Sequence, residues 1–380
     1  MKKWHFSLWI KVRVMGIYPR KLAIILLPFR LAFRIFVLRI GCGSAIKSFE
    51  NILFSVFLLR SPFTIFVKND IRNLVNMISI LIPTYNYACD VLVSKLQALC
   101  ANLAETDKAF DYEILLADDA STQKEAKLQN EKVDKLPHCR YLPQKENRGR
   151  ARIRNFLADQ AALDYLLFID CDAAVEDDLF IRRYWEAVNC GKADVICGGV
   201  ANVARLEDED YSLRYYYEEH VGKARLASER MKTPYARFTT FNFLIRKALF
   251  MKLRFHEDCV HYGYEDVFFG MKLEELQVSI LHIDNALVHT GLEPNAVFLR
   301  KTETALETLY SLDDNFKDYV RVSQVALRLK KAGMLPVLVW FYRVFSKTMR
   351  RQLMSSHPSV FLFNVYKLCY YACLEKRFLK

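Results

Sequence analysis

Residues 165–173 read YLLFIDCDA: five large apolar residues, Tyr165 to Ile169, run straight into Asp170-Cys171-Asp172. An apolar run of that length, bounded by polar residues, fits a strand buried on both faces and is short for a helix. The two carboxylates stand at alternate positions as the chain leaves the strand, so both can reach one hard divalent cation, and Mg²⁺ or Mn²⁺ suits oxygen ligands. Such an ion acts as a Lewis acid on phosphate oxygens where negative charge builds. Taken alone, the triplet also describes a solvated acidic loop.

Working outward, two earlier runs have the same shape. Ile78 to Ile82 ends in Pro83-Thr84-Tyr85-Asn86, and Glu113 to Ala117 ends in Asp118-Asp119-Ala120-Ser121-Thr122. Helical spacing recurs between the strands, over Asp90 to Leu103, Ser121 to Val133, Arg148 to Ala162 and Asp177 to Asn189, with a further strand at Val195 to Val200. This alternation predicts an α/β fold, a Rossmann-like and mostly parallel sheet with flanking helices. Ligands of such sheets bind beyond the carboxyl ends of the strands, where these polar residues fall. For Asp118 and Asp119 a helix N-cap is the competing reading.

Beyond about Ala201 the order loosens into a Tyr-rich helix near Tyr211 to His220, a strand at Phe238 to Ile245 and a helix at Glu265 to Leu276. Glu265-Asp266 follows Gly263 at a helix start, where free N–H groups and the helix dipole favour an anion; this is a candidate general base and equally a plain helix-start pair. His289 follows the apolar run Ala286 to Val288 and can be a metal ligand or a packed histidine. Phe241 and Asn242 can border a pocket. Arg148, Arg150, Arg152 and Arg154 alternate, so on one helix they cannot all face one phosphate.

The net charge of +12 is unevenly placed. Residues 1–76 hold 13 Lys and Arg against 2 Asp and Glu, and residues 330–380 hold 10 against 1, whereas the stretch between holds 32 against 40. An acidic centre argues against nucleic acid as a partner. Basic ends rich in large apolar residues suit an anionic bilayer surface, and they predict amphipathic, basic helical extensions at both termini. Leu22 to Ile40 is broken by Pro28, Arg30, Arg34 and Arg39, which makes it interfacial and not spanning. Residues 1–76 are either such an anchor or precede a natural start at Met77. Ten cysteines form no C-x-x-C pair or zinc spacing, and no secretory leader is evident, so an intracellular, reduced protein is expected, peripheral on the inner face of the cell membrane.

In order, ISILIPTYN, EILLADDAST, ENRGRARIRN and YLLFIDCDA, followed by GYEDVFFG at 263–270, resemble the family 2 glycosyltransferases of GT-A fold, with Ile153 where that family usually has Ala. The resemblance implies a catalytic domain over 77–310, divided into a nucleotide-sugar half (77–200) and an acceptor half (201–310), with a helical, membrane-facing region at 311–380. It implies that Pro83, Tyr85, Asn86, Asp118, Asp119, Arg154 and Asp170 contact the nucleotide-sugar. Asp172, with Asp170 and His289, would hold Mn²⁺ or Mg²⁺, and Asp266, with Glu265, would be catalytic. The implied reaction is inverting, metal-dependent transfer of a hexosyl or N-acetylhexosaminyl group from a nucleoside-diphosphate sugar, UDP by family frequency, to a glycan or lipid-linked glycan in surface-polysaccharide synthesis. Guanosine and deoxythymidine carriers stay open. A sugar nucleotidyltransferase would typically carry a Gly-rich basic loop that PTYNYACD lacks, and an inactive transferase-fold scaffold would have no need of Asp172 and Asp266.

Overall fold

The computed structural model describes residues 77–257 and 263–377, so the N-terminal extension 1–76 lies outside the described residues. Strand β1 (Met77–Thr84) runs parallel to β2 (Asp111–Asp118) on one side and to β4 (Tyr165–Ile169) on the other, and β3 (Cys139–Pro143) continues the sheet parallel to β2. Alternation along these strands feeds two cores. Ile78, Ile80 and Ile82 pack with Tyr112, Ile114 and Leu116 on one face, and Leu81, Leu115, Leu166 and Phe168 pack on the other. Each such side chain contributes roughly 1.5–3 kcal/mol on burial, which makes this the most firmly specified part of the chain.

Helices α1 (Asp90–Thr106), α2 (Lys124–Asn130), α3 (Arg150–Gln160) and α4 (Phe180–Asn189) follow the strands in turn. Leu92, Val93 and Leu96 of α1 and Phe180, Ile181 and Tyr184 of α4 cover the first core; Ala151, Ile153 and Leu157 of α3 cover the second. Ile153, the departure from the family pattern, is a core residue at 2% exposure.

The seven-stranded sheet has the order β3-β2-β1-β4-β8-β6-β9. Here β8 (Asn242–Arg246) is antiparallel to β4 and to β6 (Val195–Cys197), while β9 (Ile280–His282) is parallel to β6, so the sheet is mixed and mostly parallel, as predicted. A smaller sheet is formed by β5 (Ala173–Ala174), β10 (Leu287–His289) and β7 (Val200–Asn202). The strand predicted over 195–200 therefore splits between two sheets. The cause is Gly198-Gly199: a Cβ on Gly198 would sit 2.4 Å from Asn242 Nδ2, and Gly199 has φ +100°. β3 was not predicted, because an edge strand with Arg140 exposed lacks a continuous apolar run. The 121–133 helix shortens to α2 plus a 3₁₀ turn at Glu131–Lys135.

The second half adds α5 (Ser212–Val221), α6 (Ala227–Arg230), α7 (Lys247–Leu253) and α8 (Glu265–Glu275). Five helices close the chain: α9 (Asn295–Ser311), α10 (Asp314–Tyr319), α11 (Arg321–Lys331), α12 (Leu335–Leu353) and α13 (Val360–Arg377). Breaks fall at Gly333, at φ +72°, and at proline 358, as the sequence predicts, whereas Pro336 sits in the first turn of α12, where its missing N–H costs nothing. Leu213, Phe298, Leu299, Met349, Leu353, Phe363 and Tyr366 form a core joining α5, α9, α12 and α13. Among the described residues no helix is long and apolar enough to cross a membrane.

Candidate active site

The loops after β1 and β2 are knitted together by their own polar residues. Asn86, at φ +54°, accepts at Oδ1 from the N–H groups of Thr122 (2.7 Å) and Gln123 (3.0 Å), while its own N–H donates to Ser121 Oγ at 2.7 Å. Asp118 is fully buried, accepting at Oδ1 from the N–H of Ser121 (2.7 Å) and at Oδ2 from the Tyr141 hydroxyl (2.5 Å). Asp119 accepts from the N–H groups of Arg148 (2.7 Å) and Gly149 (2.9 Å), at the N-terminus of α3, where Gly149 takes φ +82°. Burial raises the Asp119 carboxyl above its usual value against those two donors. Tyr85 is left 48% exposed on this rim.

Asp170 and Asp172 leave β4 in different directions. Asp170 accepts from Arg154 Nη2 at 2.5 Å, and Arg154 is buried beneath it. Asp172 is directed by the small sheet: its neighbour Ala173 pairs with His289 across β5 and β10, and the Asp172 carbonyl accepts from the Thr290 N–H at 2.8 Å. That register sets His289 Nε2 3.3 Å from Asp172 Oδ2. Gly291 completes the close approach, since a Cβ there would lie 2.4 Å from Asp172 Oδ2. On the other side of the imidazole, Nδ1 lies 3.2 Å from Glu218 Oε1 of α5, close enough for an ion pair but not aligned for a hydrogen bond. Burial favours the neutral ring, yet the two carboxylates outweigh it and hold the His289 pKa up to about 9. Asp172 shows the reciprocal effect: burial pushes its carboxyl up, and His289 brings it below the usual value.

Both aspartates and His289 line a cavity of about 300 Å³ together with Arg150, Arg214, Phe241, Tyr264, Glu265, Asp266 and Glu293. Tyr264, at φ +69°, turns the chain so that Glu265 and Asp266 open α8 at the cavity wall. Burial, and then the neighbouring Glu265 charge, raise the Asp266 pKa to about 6. Glu265 lies 3.4 Å from Arg150 Nη1. The alternating arginines divide as their spacing requires: Arg150 faces the cavity, Arg152 pairs with Glu257 at 3.5 Å, Arg148 lies over the Phe156 ring, and Arg154 is buried. Phe241 borders the cavity, and its ring meets His289 edge-on at 5.6 Å. Asn242 is instead fully buried, held by Tyr184, Gly199 and Asn285. Glu218, Arg214 and Gly291 were not singled out by the sequence; the one hint was the i,i+4 spacing of Arg214 and Glu218.

Residues 79–254 match the family model described as glycosyl transferase family 2. The chain carries a family 2 glycosyltransferase domain. The chain is 31% identical over 114 residues to a chondroitin synthase of Escherichia coli, covering 30% of this chain and 16% of that protein. It is 31% identical over 140 residues to a dolichyl-phosphate beta-glucosyltransferase of Dictyostelium discoideum, covering 34% and 41%. The chain thus spans well under half the length of these curated relatives. Among solved structures it is similar to S. aureus TarS 1–349 in complex with UDP-GlcNAc (16% identity, 80% and 91% coverage, TM-score 0.41). It is also similar to the mannosyltransferase PcManGT of Pyrobaculum calidifontis in complex with GDP-Man and Mn²⁺ (13% identity, 80% and 87% coverage, TM-score 0.47).

The Asp172–His289 donor set fits a divalent cation. Two ligands at right angles, each about 2.1 Å from an ion, lie about 3 Å apart, near the 3.3 Å between Asp172 Oδ2 and His289 Nε2. A cation held there would take the place of the proton on Nε2. Among the described residues no three His, Cys, Asp or Glu side chains gather into a metal-binding group.

Proposed function

We propose that the transferase moves a hexosyl or N-acetylhexosaminyl group from a nucleoside-diphosphate sugar, UDP-linked, to a hydroxyl of a glycan or lipid-linked glycan in surface-polysaccharide synthesis, with inversion. The observation that carries this reading is the meeting, in one cavity, of the Asp172–His289 pair with Asp266, a carboxylate whose pKa is raised to about 6. Asp266 takes the proton of the acceptor hydroxyl as that oxygen attacks the anomeric carbon, and the nucleoside diphosphate departs from the opposite side. Glu265, paired with Arg150 at 3.4 Å, keeps the neighbouring Asp266 basic by its charge. Arg150 and Arg214 face the diphosphate from the cavity wall. Asp172 and His289, with Asp170 alongside, would hold Mn²⁺ or Mg²⁺, which when bound neutralises charge on the leaving diphosphate. The exposed Tyr85 ring offers a stacking surface to the base; Pro83, Asn86, Asp118, Asp119 and Arg154 shape that subsite.

The test is release of nucleoside diphosphate from a panel of nucleotide-sugars, with Mn²⁺, with Mg²⁺ and with chelator. The expected result is metal-dependent release from one donor, lost in Asp172→Ala and Asp266→Ala. Donor binding without turnover on any acceptor would favour the inactive scaffold, and release that chelator leaves unchanged would remove the metal from the mechanism.

We further propose that the transferase works at the inner membrane surface. Val337, Trp340 and Val344 form one outward line on α12, with Trp340 58% exposed, and Lys347 and Arg351 extend it. An apolar line continued by basic residues suits an anionic bilayer. Hydrogen exchange of the full chain should show peptides from 335–353 protected by anionic vesicles and not by neutral ones. Protection that rises with protein concentration in the absence of lipid would mean that a second copy covers this face.

A further inference from the structure

A buried relay stands behind His289. Glu218, 8% exposed, lies between Arg214, whose Nε donates to Oε1, and His289, whose Nδ1 is 3.2 Å from the same oxygen. Two buried atoms here have no hydrogen-bond partner among the described residues: Glu218 Oε2 and His289 Nδ1. Glu218 Oε2 has the Arg225 guanidinium 4.0 Å away, whereas an unsatisfied buried ring nitrogen costs about 1–3 kcal/mol, so His289 Nδ1, 3.2 Å from Glu218 Oε1, calls for an explanation beyond packing. The surroundings hold it firmly. Asn202, which pairs with His289 across β7 and β10, donates to the Tyr215 carbonyl (3.2 Å) and to Glu219 Oε1 (3.1 Å), and so ties α5 to the small sheet. Leu213 N–H donates to Asn295 Oδ1 at 2.7 Å, and Ser212 Oγ donates to the Ser355 carbonyl at 2.8 Å.

On the proposed reading of the site, we infer that Glu218 is a positioning residue: its Oε1 accepts a hydrogen bond from the Nδ1–H of His289, which fixes the tautomer and ring plane that present Nε2 to the cation beside Asp172. Histidines that ligate metals commonly donate their second ring N–H to a carboxylate in this way, and the partner affects both orientation and ligand basicity. Arg214 balances the charge of Glu218, so the carboxylate can serve the ring without binding the ion itself.

The test measures binding of Mn²⁺ alone, by the electron paramagnetic resonance signal of free Mn²⁺, in the full chain carrying His289→Gln, Glu218→Gln, or both. Affinity should fall about 10–100-fold with Glu218→Gln. Because Glu218 acts through His289, the double variant should bind no more weakly than His289→Gln alone. Glu218→Asp should recover part of the loss, which a merely structural defect would not do. If His289→Gln and Asp172→Ala both leave Mn²⁺ binding unchanged, the metal reading itself fails. If they weaken it while Glu218→Gln does not, or if the Glu218 and His289 losses add, the relay alone is overturned. Should Glu218→Gln fail to fold, Glu218→Asp with and without His289→Gln gives the same comparison.

Discussion

After β1 and β2 the polar side chains hold backbone, whereas around the cavity Asp172, Glu218, His289 and Glu265 face other charged side chains. Asn86 and Asp119 accept from backbone N–H groups of neighbouring loops and Asp118 from one in its own, so their charge or dipole is matched. Glu218 and His289 leave buried atoms unmatched, and Asp266 carries a pKa of about 6 where 3.8 is usual. The loops after β1 and β2 use polar groups to stabilise a shape; the cavity keeps them poised, at some expense in stability. Carboxylates in the two regions should therefore respond in opposite ways to removal.

The largest contrast is expected at Asp266. Asp266→Asn should lower kcat/KM by about 10²–10⁴-fold. Its folded pKa lies above its unfolded one, so the proton-linked contribution favours folding below about pH 4 and is lost as pH rises through about 6. At pH 7–8 the Asn variant should consequently be more stable, by ~1–3 kcal/mol in a denaturant titration. A destabilised Asn variant would erase the contrast.

Gly291→Ala should come next. Its Cβ would lie 2.4 Å from Asp172 Oδ2 and 2.7 Å from Asp172 Cβ, so the aspartate must shift. Turnover should fall about 10–100-fold, because small misplacements of a reacting geometry are costly, with the thermal midpoint nearly unchanged. Unaltered turnover would show that Asp172 is not held where the reaction needs it.

Legibility in the sequence follows the same division. Tyr165–Ile169 was read to the residue because five consecutive buried apolar side chains end at Asp170. Asp170, Asp172, Asp266 and His289 do meet in one cavity. Glu218 could not be read: it sits on a helix whose sequence, SLRYYYEEHV, gives no reason to choose it over Glu219, and it meets His289 only through a three-stranded sheet of two- and three-residue strands. Strands that short carry no periodicity, so their pairing is set by tertiary contacts. The break at Gly198-Gly199 was visible, but its consequence, a change of sheet, depends on Asn242 and Asn285 arriving from elsewhere.

Two smaller effects sharpen the comparison. The logarithm of kcat/KM should climb with unit slope below about pH 6 and level off above it, as Asp266 loses its proton, and a flat profile would assign the base elsewhere. Asp118→Ala should cost about 1–3 kcal/mol of stability, since the Ser121 N–H and the Tyr141 hydroxyl lose their acceptor, while folded enzyme retains the pH profile of the parent.

The hydrogen bond from Ser212 to the carbonyl of Ser355 spans 143 positions of sequence and lies at the start of the helix bearing Arg214 and Glu218. It makes the last two helices part of the foundation of the reaction chamber. An engineer who wished to move this cavity into another chain would find no clean seam at residue 311: a graft taking 200–225 would have to bring 287–295 and the turn at 355 with it, or the transplanted cavity would arrive without its far wall.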